Sequence, residues 1–174
     1  GRILIQEAFE TVAKTLDKAG VRYLVVGGLA VIAHGYVRLT TDIDIVLALD
    51  AQNIHRAFDA LAEAGYRPSV PIKADGFGDA AQRNQWRKEK GMRVLNFFSP
   101  KFPLAGVDVF VYEPFDFALE YEKAMQVELR PDISVRFATV SALIRMKQEA
   151  GRAKDIDDIQ HLRYTEENEG KSDG

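Results

Sequence analysis

The sequence has no cysteine, only three histidines and no long hydrophobic run. The lack of cysteine excludes disulfides and thiolate-bound metals, and it favours a reducing compartment, so we predict a cytoplasmic protein. The histidines (His34, His55 and His161) are scattered along the chain, which argues against a histidine-bound zinc site. Because no apolar stretch reaches the ~20 residues of a membrane span, the sequence also predicts no membrane partner.

Charges of the two signs are nearly balanced. The 174 residues include 23 Lys and Arg against 26 Asp and Glu, which gives a net charge of −3, and 47% of them are hydrophobic. Such a composition is ordinary for a globular domain and excludes a strong overall attraction to nucleic acids or anionic membranes. There is no internal repeat or long linker, so we predict one domain over 1–164, with C-terminal helices over 138–164 and a flexible polar tail over 165–174.

Hydrophobic periodicity predicts an α/β (α+β) fold in which helices flank a mixed β-sheet. A first helix is followed by the strand VRYLVVGG, the helix LAVIAHG and a second strand, TTDIDIVLAL. Asp50 then caps a third helix, and further strands are predicted at MRVLNFF, GVDVFVY and SVRFA. The stretch VSALIRMKQEAGRAKDIDDIQHL is typical of two short helices hinged at Gly151, whereas 66–79 is predicted to be a loop with one edge strand.

Two aspartates interrupt the second strand, where a buried strand favours apolar residues. Asp42 and Asp44 are two positions apart, so their carboxylates leave the same face of an extended chain ~7 Å apart. At an effective dielectric constant of about 20, this separation costs ~2 kcal/mol of repulsion. Asp108 lies in the strand GVDVFVY, and its carboxylate joins the other two if that strand pairs beside the second strand.

Three clustered carboxylates repel one another unless a cation neutralises them. Mg²⁺ (or Mn²⁺) suits such a site, because it binds a few carboxylates together with substrate phosphates. Two such ions ~3.5–4 Å apart would stabilise the attacking and leaving oxygens of a phosphoryl displacement. The alternative is that each aspartate lies at a strand end and faces water, as most aspartates do.

A glycine pair precedes these acids. Gly27 and Gly28 end the first strand and open a helix upstream of Asp42. A strand–Gly–Gly–helix turn lets backbone N–H groups approach a phosphate, although glycine pairs also serve simply as turns. The combination of this turn with D-x-D on the next strand is the more specific signal.

The stretch VVGGLAVIAHGYVRLTTDIDIVL resembles the signature of the nucleotidyltransferase superfamily with the DNA polymerase β-like fold. In that signature a hydrophobic strand, a Gly-Gly or Gly-Ser pair and a short helix precede D-x-D or D-x-E, with a third acid on a later strand. The C-terminal LIRMKQEAGRAKDIDDIQHL is similar to the helix pair of small bacterial nucleotidyltransferases, which include toxins of the abortive-infection type. The likeness covers residues 20–50, 104–112 and 137–163.

The resemblance implies a metal site and a nucleotide site. Asp42, Asp44 and Asp108 would bind Mg²⁺ and carry the catalysis. Gly27 and Gly28 would hold the triphosphate of a nucleoside triphosphate, the substrate. Gly28 replaces the serine of the Gly-Ser version, so a side-chain hydroxyl contact to phosphate is absent.

The C-terminal motif implies further site residues. By this likeness Lys147 would reach phosphate or substrate, while Arg152, Lys154 and Asp155 would orient the site. The simpler interpretation of Lys147 is a lysine that extends from an apolar helix face to water. Acids such as Asp155, Asp157 and Asp158 can likewise do no more than stabilise the dipole of a helix in its first turn.

Two residues between the glycine pair and the acids are further candidates. Arg38 lies four positions before Asp42 and could clamp a phosphate with two hydrogen bonds, or it could be a solvated loop arginine. Thr41 could bond the nucleotide or the backbone, although a β-branched residue at a strand start needs no function.

The segment QRNQWRKEKGMR carries five basic residues around Trp86. Basic residues interleaved with an aromatic can bind single-stranded nucleic acid by charge and stacking. More often such a run is the wet face of a surface helix, with the aromatic packed beneath it. Six aromatic residues elsewhere are predicted to belong to the core: Phe97, Phe98, Phe110, Tyr112, Phe115 and Phe117.

Together these inferences predict a Mg²⁺-dependent nucleotidyltransferase. It would move a nucleoside monophosphate from a nucleoside triphosphate to an acceptor hydroxyl and release pyrophosphate. The toxin-like resemblance suggests RNA or tRNA ends as the acceptor and an antitoxin as a partner, an antibiotic-modifying enzyme would use a small hydroxylated molecule, and a protein acceptor is a third option. The alternative to an enzyme is an inactive nucleotidyltransferase-like module that binds nucleotides or another protein.

Overall fold

A mixed β-sheet forms the centre of the fold in the computed structural model, which describes residues 2–151 and 153–172. Over these residues the chain forms seven strands: β1 (Tyr23–Val26), β2 (Ile43–Leu47), β3 (Arg67–Pro68), β4 (Val94–Phe98), β5 (Val107–Phe110), β6 (Met125–Arg130) and β7 (Ile133–Phe137). The same residues form eight helices: α1 (Arg2–Lys18), α2 (Gly27–Ala33), α3 (Ala51–Glu63), α4 (Ala74–Gly78), α5 (Ala80–Lys90), α6 (Phe117–Lys123), α7 (Val140–Ala150) and α8 (Ala153–Ser172). None of the helices in these ranges is long and apolar enough to cross a membrane.

The sheet has the strand order β3-β4-β5-β2-β1-β7-β6. β2 is parallel to β5 and β1 is parallel to β7, whereas the other neighbouring strands are antiparallel. Every residue of β1 and β2 is buried except Asp44, which is partly exposed. Because β2 is the middle strand of this sheet, Asp44 is fixed to a rigid part of the fold. The mixed sheet with flanking helices confirms the predicted fold class.

Helix ends follow the caps that the sequence supplies. Asp50 starts α3 by accepting a hydrogen bond from the backbone N–H of Asn53 at 2.9 Å. Thr139 starts α7 in the same way, with a bond of 3.1 Å from the N–H of Ala142. Gly151 ends α7 with a φ of 66°, a left-handed conformation that favours glycine. The chain turns there into α8, so the two C-terminal helices pack side by side around the predicted hinge.

Three elements have no counterpart in the sequence prediction. α4 lies inside 66–79, which was predicted to be a loop with one edge strand; β3 is that strand. α6 and β6 lie in a stretch with no prediction. The alternating apolar and polar residues of β6 are a strand signal that the sequence analysis did not use, and Met125, Val127 and Leu129 pack against the core from one face of this strand. α8 continues to Ser172 and therefore includes most of the segment predicted to be a polar tail.

Candidate active site

The parallel pairing of β2 and β5 brings the three candidate acids together. Asp44 lies directly opposite Asp108 in the register of the two strands, and Asp42 immediately precedes β2. All three residues line one cleft of about 340 Å³. Residues of α7 form another wall of this cleft. The sequence analysis assumed that the strand of Asp108 pairs beside the strand of Asp42 and Asp44. The structure has this pairing, and it brings the three acids into one cleft.

Asp108 is partly buried, and its surroundings act on its carboxyl group in opposite directions. Burial raises its pKa above the usual value, and a hydrogen bond from Asn96 Nδ2 to Oδ1 (2.8 Å) lowers it. The negative charge of Asp42 raises the pKa, whereas a hydrogen bond with Asp44 lowers it, and the net effect is an increase. Because burial and a like charge both oppose ionisation, a nearby cation would stabilise the carboxylate form.

Asn96 is a residue of this cluster that sequence analysis missed. It is paired with Asp108 across β4 and β5, and its Oδ1 accepts a hydrogen bond from Ser69 Oγ at 2.5 Å. The two bonds together orient the amide, so that Nδ2 is directed at Asp108. A single asparagine in a strand gives no signal of this role, because the role depends on which residue the neighbouring strand places opposite.

The donor atoms of the cleft suit a cation that prefers oxygen. No three His, Cys, Asp or Glu side chains in the described part of the chain are arranged to hold a metal ion by themselves. Asp42, Asp44 and Asp108 nevertheless offer carboxylate oxygens along one side of an open cleft. Mg²⁺ favours such partial coordination by protein, completed by water and substrate phosphates.

The glycine pair lies against the acids in space as well as in sequence. Gly27 has a φ of 68°, and a Cβ at this position would lie 2.0 Å from Asp44 Oδ2. A Cβ on Gly28 would lie 2.6 Å from Thr40 Oγ1. A side chain at either position would displace a neighbouring side chain, and at Gly27 it would also strain the backbone.

We expect Gly27→Ala to weaken nucleotide binding and to lower stability. The left-handed conformation alone costs a non-glycine residue about 1–2 kcal/mol, and the new methyl group would displace the carboxylate of Asp44. Calorimetric titration with nucleotide and thermal unfolding would measure the two effects. Gly78→Ala is the matched control, because a Cβ there meets no atom within 4 Å. Equal nucleotide affinity of wild type and Gly27→Ala would contradict the prediction.

The loop between α2 and β2 is attached to α8. The Tyr36 hydroxyl donates a hydrogen bond to Asp157 Oδ2 at 2.5 Å, and the Tyr36 ring stacks on His161 with ring centroids 3.9 Å apart. Arg38 forms an ion pair with Asp158, which lies 120 residues further along the chain. The loop that borders the acids is therefore held by contacts with the C-terminal helix.

Lys147 is buried beside the cleft and does not extend to water. Its Nζ donates a hydrogen bond to Asp158 Oδ2 at 2.7 Å and lies 3.5 Å from Asp155 Oδ1. The side chains of Asp155 and Asp158 are 1% and 2% exposed, so two buried acids balance Lys147 and Arg38. Asp158 is thus a second residue whose position the sequence analysis missed. The i, i+3 spacing of the two acids, which puts them on one helix face, is the signal that could have found it.

A second cavity of about 260 Å³ adjoins the cleft. It shares Gly27, Asp42, Asp44, Lys147 and Asp155 with the cleft, and its other lining residues include Gly28, Arg38 and Thr41. The structure therefore brings these candidate residues to one place. Arg152 lies outside the described residues, and so does the side chain of Lys154.

A family model described as a nucleotidyltransferase of unknown function (DUF6036) matches residues 3–167. The chain belongs to this nucleotidyltransferase family. The match spans nearly the whole chain, which confirms the family resemblance seen in the sequence and the prediction of an enzyme of this class. No curated protein matches the chain in sequence.

Solved structures of nucleotidyltransferases share the fold of this family member. The antibiotic-resistance factor ANT(2″)-Ia is 15% identical, with 90% of this chain and 80% of that chain covered and a TM-score of 0.56. The lincosamide antibiotic adenylyltransferase LnuA, in a lincomycin-bound structure, is also 15% identical, with coverages of 90% and 95% and a TM-score of 0.56. An antigenic nucleotidyltransferase-like protein from Paracoccidioides brasiliensis is 19% identical, with coverages of 91% and 75% and a TM-score of 0.53. At these identities the likeness is one of fold.

The aromatic residues that were predicted to be core have different positions in this nucleotidyltransferase. Phe97 and Phe117 are buried as predicted, but Phe98 is 50% exposed. Phe110 is paired in register with Val94, and both line the cleft. Strand alternation explains the error, because one face of β4 and β5 fills the core while the other forms the cleft wall.

The arginines of the basic segment QRNQWRKEKGMR lie in different environments. Arg83, predicted to lie on a wet face, is 8% exposed and donates a hydrogen bond to the carbonyl oxygen of Phe77 at 2.6 Å. Arg87 and Arg93 gather instead at Tyr112. The Arg87 guanidinium lies 3.6 Å from the centroid of the Tyr112 ring, and Arg93 Nη2 donates a hydrogen bond to the Tyr112 hydroxyl at 3.0 Å.

Proposed function

We propose that this family member is a Mg²⁺-dependent enzyme that moves a nucleoside monophosphate from a nucleoside triphosphate to an acceptor hydroxyl. The observation that carries the proposal is the register of β2 and β5, which sets Asp44 opposite Asp108 beside the Gly27–Gly28 turn. Two adjoining cavities, of about 340 and 260 Å³, meet at Asp42 and Asp44. One can receive the leaving pyrophosphate and the other the acceptor.

The smaller cavity is assigned to the triphosphate. The absence of side chains at Gly27 and Gly28 leaves the backbone open to close approach by phosphate. Thr41 lines the same cavity, and Arg38 and Lys147 bring two positive charges to it. Accessible backbone N–H groups, a hydroxyl and cationic side chains can each form hydrogen bonds to phosphate oxygens.

The larger cavity, the cleft of about 340 Å³, is assigned to the transfer reaction. Mg²⁺, held by Asp42, Asp44 and Asp108 together with phosphate oxygens, would neutralise the charge that develops during transfer. Asp108 accepts the proton of the acceptor hydroxyl, whose oxygen forms a bond to the α-phosphorus. The bond from that phosphorus to the oxygen that bridges the β-phosphorus breaks, and pyrophosphate leaves. The residues of the chain mainly position the reactants and balance their charge.

A small hydroxylated molecule is the preferred acceptor. Two proteins of similar fold are named for antibiotics, ANT(2″)-Ia as a resistance factor and LnuA as a lincosamide adenylyltransferase. An RNA or tRNA end, with an antitoxin as partner, is the second candidate. Binding of RNA would depend on the basic segment QRNQWRKEKGMR, in which Arg83 is buried and cannot contact it. The cytoplasmic location expected from the lack of cysteine stays a prediction.

Calorimetric titration with each of the four nucleoside triphosphates, in Mg²⁺ and in EDTA, tests the proposal. We expect metal-dependent binding of at least one nucleotide by the wild type. The Asp42→Asn, Asp44→Asn double variant should lose it, because neutral amides do not replace carboxylates as ligands of a divalent cation. Asp59→Asn, at an exposed position of α3, is the control and should bind like the wild type.

The outcomes separate the candidate functions. Metal-dependent binding followed by pyrophosphate release with an acceptor supports nucleotidyl transfer. Binding without pyrophosphate release against any acceptor would identify an inactive nucleotide-binding module. If no nucleotide binds in a metal-dependent way, both ideas fail and the protein-binding alternative takes their place.

A further inference from the structure

The proposed reaction fixes which part of the cleft receives the acceptor. In phosphoryl transfer the attacking and leaving oxygens lie roughly in line on opposite sides of the phosphorus. With pyrophosphate at the Gly27–Gly28 turn, the acceptor must approach from the side where Asp108 lies. Beyond Asp108 the cleft is lined by Phe110, Val94 and Arg93. This part of the cleft, the outer wall, therefore determines which acceptor binds.

The outer wall is apolar next to Asp108. Phe110 follows Asp108 by two positions on β5, so its side chain leaves the same face of the strand ~7 Å away. Val94 lies opposite Phe110 in the β4–β5 register, and Leu143 and Met146 line the cleft from α7. Apolar side chains on two walls with an acid at the inner end are suited to a flat ring that carries a hydroxyl group.

Arg93 lines the outer end of this wall, and Arg87 meets it at Tyr112, just outside the cleft lining. Arg93 donates a hydrogen bond to the Tyr112 hydroxyl, and Arg87 covers the ring of the same tyrosine. Among the described residues, neither arginine forms an ion pair with a carboxylate. Two like charges gathered around one ring without a partner carboxylate favour an anionic ligand.

The carboxylates of the cleft lie at its other end. In the described part of the chain, the acids that line it are Asp42, Asp44, Asp108 and Asp155, and the structure pairs Asp155 with Lys147. An acceptor with several positive charges would therefore meet guanidinium groups where it needs carboxylates.

We propose that the acceptor is a small anionic compound in which a flat ring separates the reacting hydroxyl from the anionic group. The hydroxyl lies at Asp108, the ring packs on Phe110 and Val94, and the anionic group binds Arg93 and Arg87. Phe110 lies ~7 Å beyond Asp108 along β5, and Arg93 comes one position beyond Val94, the partner of Phe110 on β4, so the hydroxyl and the anionic group are about 10 Å apart. This inference rests on the proposed function, because the reaction geometry places the acceptor.

Three fluorescent naphthols test the inference by binding alone. 6-Hydroxy-2-naphthoate carries a hydroxyl, a flat ring and a carboxylate; 6-(aminomethyl)-2-naphthol carries a positive charge in its place, and 2-naphthol is neutral. We expect fluorescence titrations of the nucleotide-free protein, in Mg²⁺ to neutralise the acids, to show that the anionic probe binds about tenfold more tightly than the cationic one, the effect of one charge-assisted hydrogen bond.

Variants locate the bound anion. Arg93→Gln should weaken binding of the anionic probe about tenfold and leave the affinity for 2-naphthol unchanged. Arg130→Gln, on β6 at the opposite edge of the sheet, is the matched control and should change neither affinity. Equal or tighter binding of the cationic probe would overturn the inference. Anion preference that Arg93→Gln and Arg87→Gln both leave intact would also overturn it, because the anion would then lie elsewhere, as in the triphosphate cavity.

Pyrophosphate release is measured separately with each probe as acceptor. Anion-selective binding that depends on Arg93, without any release, would count against nucleotidyl transfer and would still support the assigned ligand charge. Release that is faster with the cationic probe than with the anionic one would support transfer and overturn the acceptor class. The two proposals can therefore fail independently.

Discussion

The Asp108→Asn variant is expected to transfer nucleotides on the order of 10³-fold more slowly than the wild type. An amide cannot accept the proton of the acceptor hydroxyl, and it is a poor ligand for a divalent cation. The amide has nearly the size of the carboxyl group, so the shape of the cleft is preserved. Pyrophosphate release with saturating nucleotide measures the effect, and Asp59→Asn on the exposed surface of α3 is the control.

The same variant is expected to unfold at a higher temperature than the wild type at neutral pH. Burial and the charge of Asp42 raise the pKa of Asp108 above the usual 3.8, so ionisation of this group destabilises the metal-free fold. Asparagine carries no charge, and its oxygen can still accept the hydrogen bond from Asn96. The gain should vanish below pH 3.8, where the aspartate is protonated in both the folded and unfolded states. A lower melting temperature, with activity retained, would show that Asp108 is structural.

Asp158→Asn is expected to destabilise the fold by about 3 kcal/mol, because it removes a buried carboxylate from two cations. Lys147 would keep Asp155 as a partner, whereas the ion pair that joins Arg38 to α8 would be lost. Both cations line the cavity assigned to the triphosphate, so nucleotide affinity should fall as well. Urea unfolding and calorimetric titration with nucleotide measure the two losses.

The neighbouring Asp157→Asn is the matched control for this prediction. Asp157 is one position away on the same helix, but its side chain is 56% exposed, and asparagine can still accept the hydrogen bond from Tyr36. We expect a change within about 0.5 kcal/mol, the usual range for a surface substitution. If the two variants lose similar stability, the buried charges of Asp158, Lys147 and Arg38 do not act as a network.

Sequence analysis located the centre of the candidate site because its signals are local. Gly27, Gly28, Asp42 and Asp44 lie within one short stretch, where the glycine pair and the alternating strand are visible without knowledge of the fold. Asp108 needed one further assumption, that its strand pairs beside β2, and the sheet fulfils it. These parts depend on periodicity and on the identity of the residues themselves.

The parts that sequence analysis missed depend on which residues the fold brings together. Asn96 acts on Asp108 only because β4 and β5 are paired in a particular register. Asp158 contacts Arg38, which is 120 residues earlier in the sequence. Acids are common at the start of a helix, so Asp158 gave no sign of this contact. Phe110 was assigned to the core because hydrophobicity alone does not tell which face of a strand remains open.

The attachment of the α2–β2 loop to α8 determines when the site can form during synthesis of the chain. A ribosome releases Arg38 well before Asp158, its partner 120 residues later. Until that helix has emerged, Arg38 and Lys147 have no buried carboxylate to hold them beside the glycine turn. An unfinished chain can therefore carry the acids and the glycines without an ordered wall for phosphate. Nucleotide binding should begin only after α8 has left the ribosome.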